Sequence, residues 1–260
     1  MALRTRQIDS PDDIREFFDR LAPLYRDCHG RADRLLRYRL GIVHRLLRGT
    51  ERGLLVEIGC GTGLHLFALA SGFRRAHGTD LSPGMIEQAE RLRRSHPDSG
   101  RISLSVDPAE ALASVGDGAA DVVLCVGALE HMPDRGAVLR QVRRVLKPSG
   151  AFICLTPNAD YLWYARLAPW LGLATRHLST DRFLGGAELP ELLGAAGLIA
   201  ETVDYWTFIP RGDLPAGVAR LLEGLDAAGR VLGLPRLRGG LCFRAVASEG
   251  AQAFCASKSI

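Results

Sequence analysis

The chain has 260 residues, of which 47% are hydrophobic and 24% charged, with a formal net charge of +4. This balance is typical of a globular protein large enough to bury a core without disulfide bonds. The mild charge gives no indication of nucleic-acid binding, and no apolar run approaches the ~20 residues of a membrane span. Six scattered cysteines without a Cys-x-x-Cys pair, and the lack of a signal peptide, predict a reducing, cytoplasmic location.

Two helices are predicted near the N-terminus. The first begins at Ser10-Pro11, where serine caps the helix and proline suits its first position. The second covers about residues 31–48, where arginines surround an apolar stripe. This second pattern has two interpretations. It is either a basic amphipathic surface for a membrane or an acidic substrate, or the solvated face of a helix that packs on the core.

The stretch from Leu54 to Gly63 is the most informative in the chain. An apolar run ends at Glu57 and Ile58, and glycines follow at every second position, at 59, 61 and 63. The pattern predicts a buried strand, a tight turn and a helix that begins near Thr62. Glycine permits positive φ and a close ligand approach. The free N–H groups of the helix favour an anionic or strongly polar ligand end.

The glycine spacing argues against a dinucleotide. The dinucleotide fingerprint puts its third glycine at the sixth position, where this chain has Leu64. A nicotinamide dehydrogenase is therefore disfavoured, and a different nucleotide-like ligand is favoured.

The second strand is predicted to end at Asp80, 17 positions after Gly63. A carboxylate at the end of the neighbouring strand suits both hydroxyls of a ribose. The alternative is that Asp80 caps a helix. Ser82 and Pro83 already supply the cap and the first-turn proline of the helix predicted over 83–95, so the ribose role is favoured.

Three further strands are predicted in the next part of the chain. Alternating residues predict a third strand over 102–106, and apolar runs predict a fourth over 121–126 and a fifth over 152–156. A helix over 134–147 precedes the fifth strand and stops at the breaker signal of residues 147–150. Strands that alternate with helices predict an α/β fold.

Together these segments resemble class I S-adenosylmethionine (SAM) methyltransferases, nearest to the ubiquinone- and menaquinone-type small-molecule enzymes. The resemblance covers about residues 50–160. Its motifs are Glu57-x-Gly59-x-Gly61-x-Gly63, Thr79-Asp80-Leu81-Ser82, Asp121-Val122-Val123-Leu124, Leu129-Glu130-His131 and residues 144–150. It implies a doubly wound, mostly parallel, seven-stranded Rossmann-like sheet with one reversed strand. It also implies SAM as cofactor, S-adenosylhomocysteine as product and a small-molecule acceptor.

The resemblance also implies where the cofactor lies. Glu57 and residues 59–63 would hold its methionine part, Asp80 its ribose, and Leu81 would pack on the adenine. Asp107 is the first choice for accepting the adenine amino group, with Glu110 as the alternative; Asp107 as the N-cap of a short helix is an equal alternative. The full set of expected cofactor contacts is Tyr25, Glu57, Gly59, Cys60, Gly61, Gly63, Asp80, Leu81, Met85, Asp107, Pro108, Ala109 and Val126.

Two histidines are candidate proton acceptors, because an oxygen acceptor must lose its proton. His131 follows the fourth strand and titrates near neutral pH; its alternative is a helix-start residue with a satisfied ring. His177 is the reserve candidate. Some ubiquinone-type enzymes hold a divalent cation with a further acid three positions before the Glu. Gly127 stands at that position here, so no metal is expected.

Residues 161–260 interrupt the alternating pattern. Aromatic residues over 161–170 predict an insertion that walls the acceptor pocket, or else an aromatic helix packed on the sheet edge. A second insertion is predicted over 208–240, before a seventh strand. We therefore expect a single domain over 1–260, with a helical cap (1–49), a SAM-binding core (50–160) and acceptor-side insertions with the last strands (161–260).

The predicted function is methyl transfer from SAM to a small molecule, at a phenol, hydroxyl or carboxyl oxygen. The alternatives are N- or C-methylation of a metabolite, or a SAM-binding scaffold without catalysis. Neither a nucleic-acid partner nor stable membrane insertion is expected, although the arginine-rich helix at 31–48 allows peripheral contact. The sequence leaves the oligomeric state open.

Overall fold

A seven-stranded sheet forms the centre of the computed structural model, which describes residues 6–8, 10–24, 32–172, 178–207 and 216–248. Its strand order is β3-β2-β1-β4-β5-β7-β6. The strands are β1 (Leu54–Ile58), β2 (Arg75–Asp80), β3 (Ile102–Val106), β4 (Ala120–Val126), β5 (Leu146–Pro157), β6 (Leu198–Trp206) and β7 (Gly240–Ala247). The first five strands pair in parallel, and β7 runs antiparallel to β5 and β6. The predicted doubly wound sheet with one reversed strand is confirmed.

Helices cover both faces of this sheet. They are α1 (Pro11–Leu21), α2 (Ala32–Leu46), α3 (Leu64–Ala70), α4 (Pro83–Arg94), α5 (Arg135–Val145), α6 (Leu189–Gly194) and α7 (Ala216–Leu232). One apolar layer joins α5 to residues such as Val56 and Val123, and the other joins α2 and α3 to Leu55 and Leu124. Central parallel strands are buried on both faces, which is why these strands are continuously apolar in sequence.

Two helix starts form as their sequences predict. The Ser10 hydroxyl accepts the Asp13 N–H, and the Asp13 carboxylate accepts the Ser10 N–H, which completes a capping box. The Ser82 hydroxyl accepts the Met85 N–H at 3.0 Å and caps α4. Both helices therefore begin at residues fixed by local side chain to backbone bonds.

Helix α2 packs on the sheet with its apolar side. Ile42, Val43 and Leu46 are buried against the core, so this side of the helix is a packing surface. Arg45 and Arg37 remain exposed to solvent. Among the helices in the described ranges, none has the length and apolarity needed to span a membrane.

The boundary between α5 and β5 differs from the prediction. Helix α5 ends at Val145, and the predicted breaker residues 147–150 belong to β5, which is twelve residues long. Leu146 pairs with Ala120 of β4 and starts the strand directly. Lys147 forms an ion pair of 2.7 Å with Asp121, and these tertiary contacts favour extended backbone over a further helical turn.

Two segments are inserted around β6, after β5 and before β7. The first contains a π-helical turn (Trp163–Leu167) whose Trp163 and Tyr164 are buried with Tyr161. Trp170 is 81% exposed, so the aromatic stretch divides between core packing and surface. The second insertion contains α7, which a buried ion pair between Asp226 and Arg238 holds against the core.

Candidate active site

The turn after β1 has the backbone that its glycines predict. Gly59, Gly61 and Gly63 have φ angles of +62°, +54° and +81°, a region that residues with a Cβ rarely adopt. A Cβ on Gly59 would lie 2.5 Å from the Cβ of Ala128. The absence of a side chain at position 59 therefore allows the turn to contact the loop that follows β4.

The helix after this turn is short and begins later than predicted. It starts at Leu64 with Gly63 as its N-cap, and Thr62 is buried within the turn. The Phe67 N–H donates to the Gly63 carbonyl oxygen at 2.9 Å. Three glycines at alternate positions keep the chain in left-handed turn conformations through residue 63, which delays the first helical residue.

Asp80 ties the end of β2 to the glycine turn. Its Oδ2 accepts the Gly61 N–H at 2.8 Å, and its Oδ1 accepts the Ser82 N–H at 2.9 Å. Burial raises the pKa of Asp80 to about 6, although both hydrogen bonds lower it; the nearby charges of Glu57 and Asp19 raise it further. Each carboxylate oxygen keeps a second lone pair, so Asp80 can still accept hydrogen bonds from the two hydroxyls of a bound diol.

The buried polar atoms at this edge suit a ligand with a cationic end. Glu57 is 1% exposed, and its Oε2 has no hydrogen-bond partner among the described residues. Its Oε1 lies 3.5 Å from Nδ1 of His65. The hydroxyl oxygen of Thr62 is likewise buried and unbonded within the described ranges. Buried polar groups are normally satisfied, and the acids Glu57, Asp80 and Asp19 make the site attractive to positive charge. A sulfonium and an ammonium group fit this environment.

The other predicted cofactor contacts lie in more than one environment. Leu81, like Phe17 and Phe18 of α1, packs against the small apolar cluster of Ile8, Ile14 and Leu178. Met85, Ala109 and Val126 are buried, and the last two lie in the apolar layers of the sheet. Cys60 is buried in the turn, where burial raises its thiol pKa well above the usual value.

The interpretation of Asp107 as a helix N-cap is wrong. No helix follows it in this part of the described chain, which runs through turns to Ala119. The Asp107 Oδ2 instead accepts the Ser114 N–H at 2.7 Å and closes this loop. The Asp107 N–H donates to the Asp80 carbonyl oxygen at 3.0 Å, which places Asp107 beside Asp80. Glu110 is partly buried, and burial raises its pKa.

The loop after β4 places two titratable residues next to each other. It begins at Gly127, with φ of +64°, and continues into a 3₁₀ turn (Leu129–His131). Glu130 is buried and accepts the Thr156 hydroxyl at 3.1 Å. Burial raises the pKa of Glu130, against the lowering effects of His131 and Arg39. Within the described ranges no three acidic, histidine or cysteine side chains group as a metal site.

His131 forms a close pair with an acid that sequence reasoning missed. Its Nδ1 lies 2.7 Å from Oδ1 of Asp181, which is fully buried. Burial alone would lower the pKa of His131, but the Asp181 bond and the charges of Glu130, Asp181 and Asp80 raise it overall. Asp181 follows His131 by 50 positions in a segment without a motif, so no local signal identifies it.

The N-terminal segment covers this edge of the sheet. The Asp19 carboxylate accepts the Ser82 hydroxyl at 2.5 Å and the Gly84 N–H at 2.8 Å. The rings of Phe18 and His131 lie 5.3 Å apart between centroids. Helix α1 therefore contacts both the loop after Asp80 and His131. The predicted Tyr25 and His177 lie outside the described residues.

Comparison with known proteins gives a consistent result. A family model described as a methyltransferase domain matches residues 56–154. A ubiquinone biosynthesis O-methyltransferase from Azorhizobium caulinodans is 32% identical over 179 residues, which cover 65% of this chain and 68% of that protein.

Solved structures share the fold. A chain from the complex of the Haloferax volcanii Trm112 methyltransferase activator with a methyltransferase is 25% identical, with a TM-score of 0.62 over 89% of this chain and 98% of that one. The [4+2]-cyclase SpnF is 20% identical, with a TM-score of 0.68 over 94% and 99% of the two chains. The second likeness supports the fold alone, because one fold carries different chemistries.

Proposed function

This chain belongs to the SAM-dependent methyltransferases, and on that premise we propose that it transfers the methyl group of SAM to an oxygen atom of a small molecule. The observation that carries the choice of oxygen is the His131–Asp181 pair, 2.7 Å between Nδ1 and Oδ1. Oxygen acceptors must lose a proton, and an imidazole held by a carboxylate is suited to take it. The relative from Azorhizobium caulinodans is named an O-methyltransferase, which supports the same choice.

We propose that the carboxylates at the sheet edge hold the cofactor. Glu57, with its buried unbonded Oε2, and the turn at residues 59–63 face the methionine part. Asp80 accepts the two ribose hydroxyls with the lone pairs that Gly61 and Ser82 leave open. Asp107 or Glu110 accepts a hydrogen bond from the adenine amino group. Tyr25 binds the carboxylate of the cofactor's methionine part. The remaining proposed contacts are Cys60, Leu81, Met85, Pro108, Ala109 and Val126.

The protein's own residues chiefly position the acceptor and receive its proton. SAM supplies a methyl group already activated by its sulfonium. Alignment of a bound acceptor contributes about 7–11 kcal/mol to lowering the barrier. His131 accepts the acceptor's proton, a role that typically contributes about 10²–10⁴ in rate. The reserve candidate for this role is His177.

The acceptor side is proposed to be formed by the segments at 161–260, opposite a SAM-binding core at 50–160 and a helical cap at 1–49. This part of the chain contains an aromatic cluster of Tyr161, Tyr164 and Phe183, in which the ring centroids of Tyr164 and Phe183 lie 4.8 Å apart. The Arg182 N–H donates to the Glu130 carbonyl oxygen at 2.8 Å. An apolar or aromatic small molecule suits such walls.

The test is turnover of SAM with a panel of phenols, alcohols, carboxylic acids and amines, with S-adenosylhomocysteine and methylated product measured by mass spectrometry. We expect product only with oxygen acceptors. His131→Ala should lower turnover by about 10²–10⁴ and leave SAM affinity, measured by calorimetry, nearly unchanged. Products methylated on nitrogen or carbon would show that the acceptor atom is not oxygen. Tight SAM binding without turnover on any acceptor would indicate a scaffold protein.

A further inference from the structure

Two hydrogen bonds hold the Asp181 carboxylate beside His131. Asp181 is fully buried, its Oδ2 accepts the Leu178 N–H at 2.9 Å, and its Oδ1 lies 2.7 Å from His131 Nδ1. The first contact fixes the rotation of the carboxylate, and the second presents one oxygen to the ring. A buried carboxylate is costly unless such bonds stabilise it.

We propose that Asp181 is the positioning residue of His131: it holds Nδ1–H of the imidazole and leaves Nε2 as the nitrogen that takes the acceptor's proton. The proposal rests on the function proposed above. A neutral imidazole has one donor and one acceptor nitrogen, and the partner of one nitrogen decides the state of the other. The carboxylate also stabilises the imidazolium that forms when the proton arrives.

The turn that carries Asp181 is closed by one backbone bond and joined to the loop after β4 by another. The Asp181 N–H donates to the Leu178 carbonyl oxygen at 3.1 Å, and the Arg182 N–H donates to the Glu130 carbonyl oxygen at 2.8 Å. The second bond joins the turn directly to the residue before His131. Asp181 and His131 are therefore held in register by backbone as well as by their side chains.

The N-terminal segment supports the same turn from the other side. The Ser179 N–H donates to the Arg6 carbonyl oxygen at 2.9 Å, and the Ile8 N–H donates to the Ser179 hydroxyl at 2.9 Å. Leu178 is buried against Ile8 and Ile14. Because the turn is clamped between two chain segments, the His131–Asp181 geometry is set before any acceptor arrives, which is what a positioning residue requires.

The charges around His131 determine the expected pH dependence. Glu130 faces it from the same loop, Asp181 from the clamped turn and Asp80 from the end of β2, and all three favour the imidazolium. On α1, Phe18 contacts the ring and Asp19 lies toward Asp80. Removing the Asp181 charge leaves two of the three acids, so the imidazole should lose its proton at a lower pH.

The first experiment compares Asp181→Asn with the full-length wild type. We expect turnover to fall about ten- to hundredfold, and the acidic limb of the kcat/KM–pH profile to move to lower pH. Asp181→Glu should keep the limb near its wild-type position, since it keeps the charge. Asp226→Asn is the matched control, because it removes another buried carboxylate that bonds Arg238 and Thr207. The acidic limb of the kcat/KM–pH profile of Asp226→Asn should stay at its wild-type pH.

A double-mutant cycle separates positioning from a general structural role. In the His131→Ala background, Asp181→Asn should cause almost no additional loss of turnover, because both changes remove one function. Additive losses, or an acidic limb that stays in place in Asp181→Asn, would overturn the proposal.

The imidazole tautomer gives a test that needs neither turnover nor a variant at position 181. In ¹⁵N-labelled wild type, with His131 signals assigned from the spectrum of His131→Gln, the neutral ring should carry its proton on Nδ1. A neutral ring protonated on Nε2 would overturn the proposal even if Asp181→Asn does not fold. If the tautomer is as expected but no acceptor is methylated, the proposed function fails and the pairing of His131 with Asp181 stands.

Discussion

The Asp80 carboxylate accepts the backbone N–H of Gly61 at 2.8 Å, across 19 positions of sequence. This bond joins the ends of two neighbouring parallel strands at the point where a nucleoside is expected to lie. Asp80 thus has two roles in the structure: it orders the glycine turn, and it presents its remaining lone pairs at the same edge.

The first prediction concerns the pH dependence of SAM binding. Because the pKa of Asp80 is raised to about 6, the free protein should bind SAM more tightly as the pH rises through this value and the carboxylate ionises. Asp80→Ala should lower the affinity by about tenfold or more, since charged hydrogen bonds contribute about 1.5–3 kcal/mol. Calorimetry from about pH 5 to pH 8 measures both effects.

Asp80→Asn is the control for charge, because it keeps the size of the side chain. It should bind SAM weakly, with little change in affinity across the same pH range. An affinity equal to that of the wild type in Asp80→Ala would exclude the ribose assignment.

The second prediction concerns stability and His131. The pKa of His131 is raised in the folded state above its usual value. Its contribution to the free energy of unfolding is therefore fully present below about pH 6.5, the unfolded value, and is lost as the pH rises through the folded pKa. Urea unfolding of the wild type and His131→Gln should differ most at acidic pH. A difference that grows with rising pH would contradict the sign of this shift.

The third prediction uses a pair of glycines with similar backbone. Gly59 and Gly49 have φ angles of +62° and +73°, but a Cβ on Gly59 would meet Ala128 at 2.5 Å whereas one on Gly49 would meet nothing within 4 Å. Gly49→Ala should lower the free energy of unfolding by about 1–2 kcal/mol, because of backbone strain alone. Gly59→Ala should lose about 1–3 kcal/mol more from overpacking, measured by urea unfolding, and should weaken SAM binding. Equal losses would mean that the turn and the β4 loop are free to separate.

The fourth prediction concerns the attachment of α1. Asp19 bonds Ser82 and Gly84 at the start of α4, whereas Asp12, on the same helix, pairs only with Arg15 at the surface in the described structure. Asp19→Ala should loosen α1, increase hydrogen exchange over residues 10–24 and lower SAM affinity, since about 1.5–3 kcal/mol is lost with a charged bond. Asp12→Ala removes only a surface ion pair, so the stability of α1 and the free energy of SAM binding should each change by at most about 0.5 kcal/mol. Unchanged exchange in Asp19→Ala would show that apolar contacts alone hold the helix.

The elements that sequence predicts well are those with local causes. The glycine turn, the Ser10 and Ser82 caps and the buried strands β1 and β4 each follow from the conformational or burial preference of a few adjacent residues. The spacing of Asp80 from the glycines likewise predicts the end of β2, because a strand and a short helix of ordinary length fill that interval. The boundary of α5 was missed because pairing of Leu146 with Ala120 outweighs the local breaker signal.

Local sequence is thus enough to predict the α/β fold, the turn between β1 and α3 and the carboxylate at the end of β2, since neighbouring residues dictate these features. Tertiary packing alone brings Asp181 to His131, the Asp19 carboxylate to the Ser82 hydroxyl, and the Asp107 carboxylate to the Ser114 N–H. Each of the first two contacts joins residues at least 50 positions apart. Such contacts depend on how whole strands and helices pack, and a hydrogen bond between distant segments leaves no periodic or compositional trace in either one.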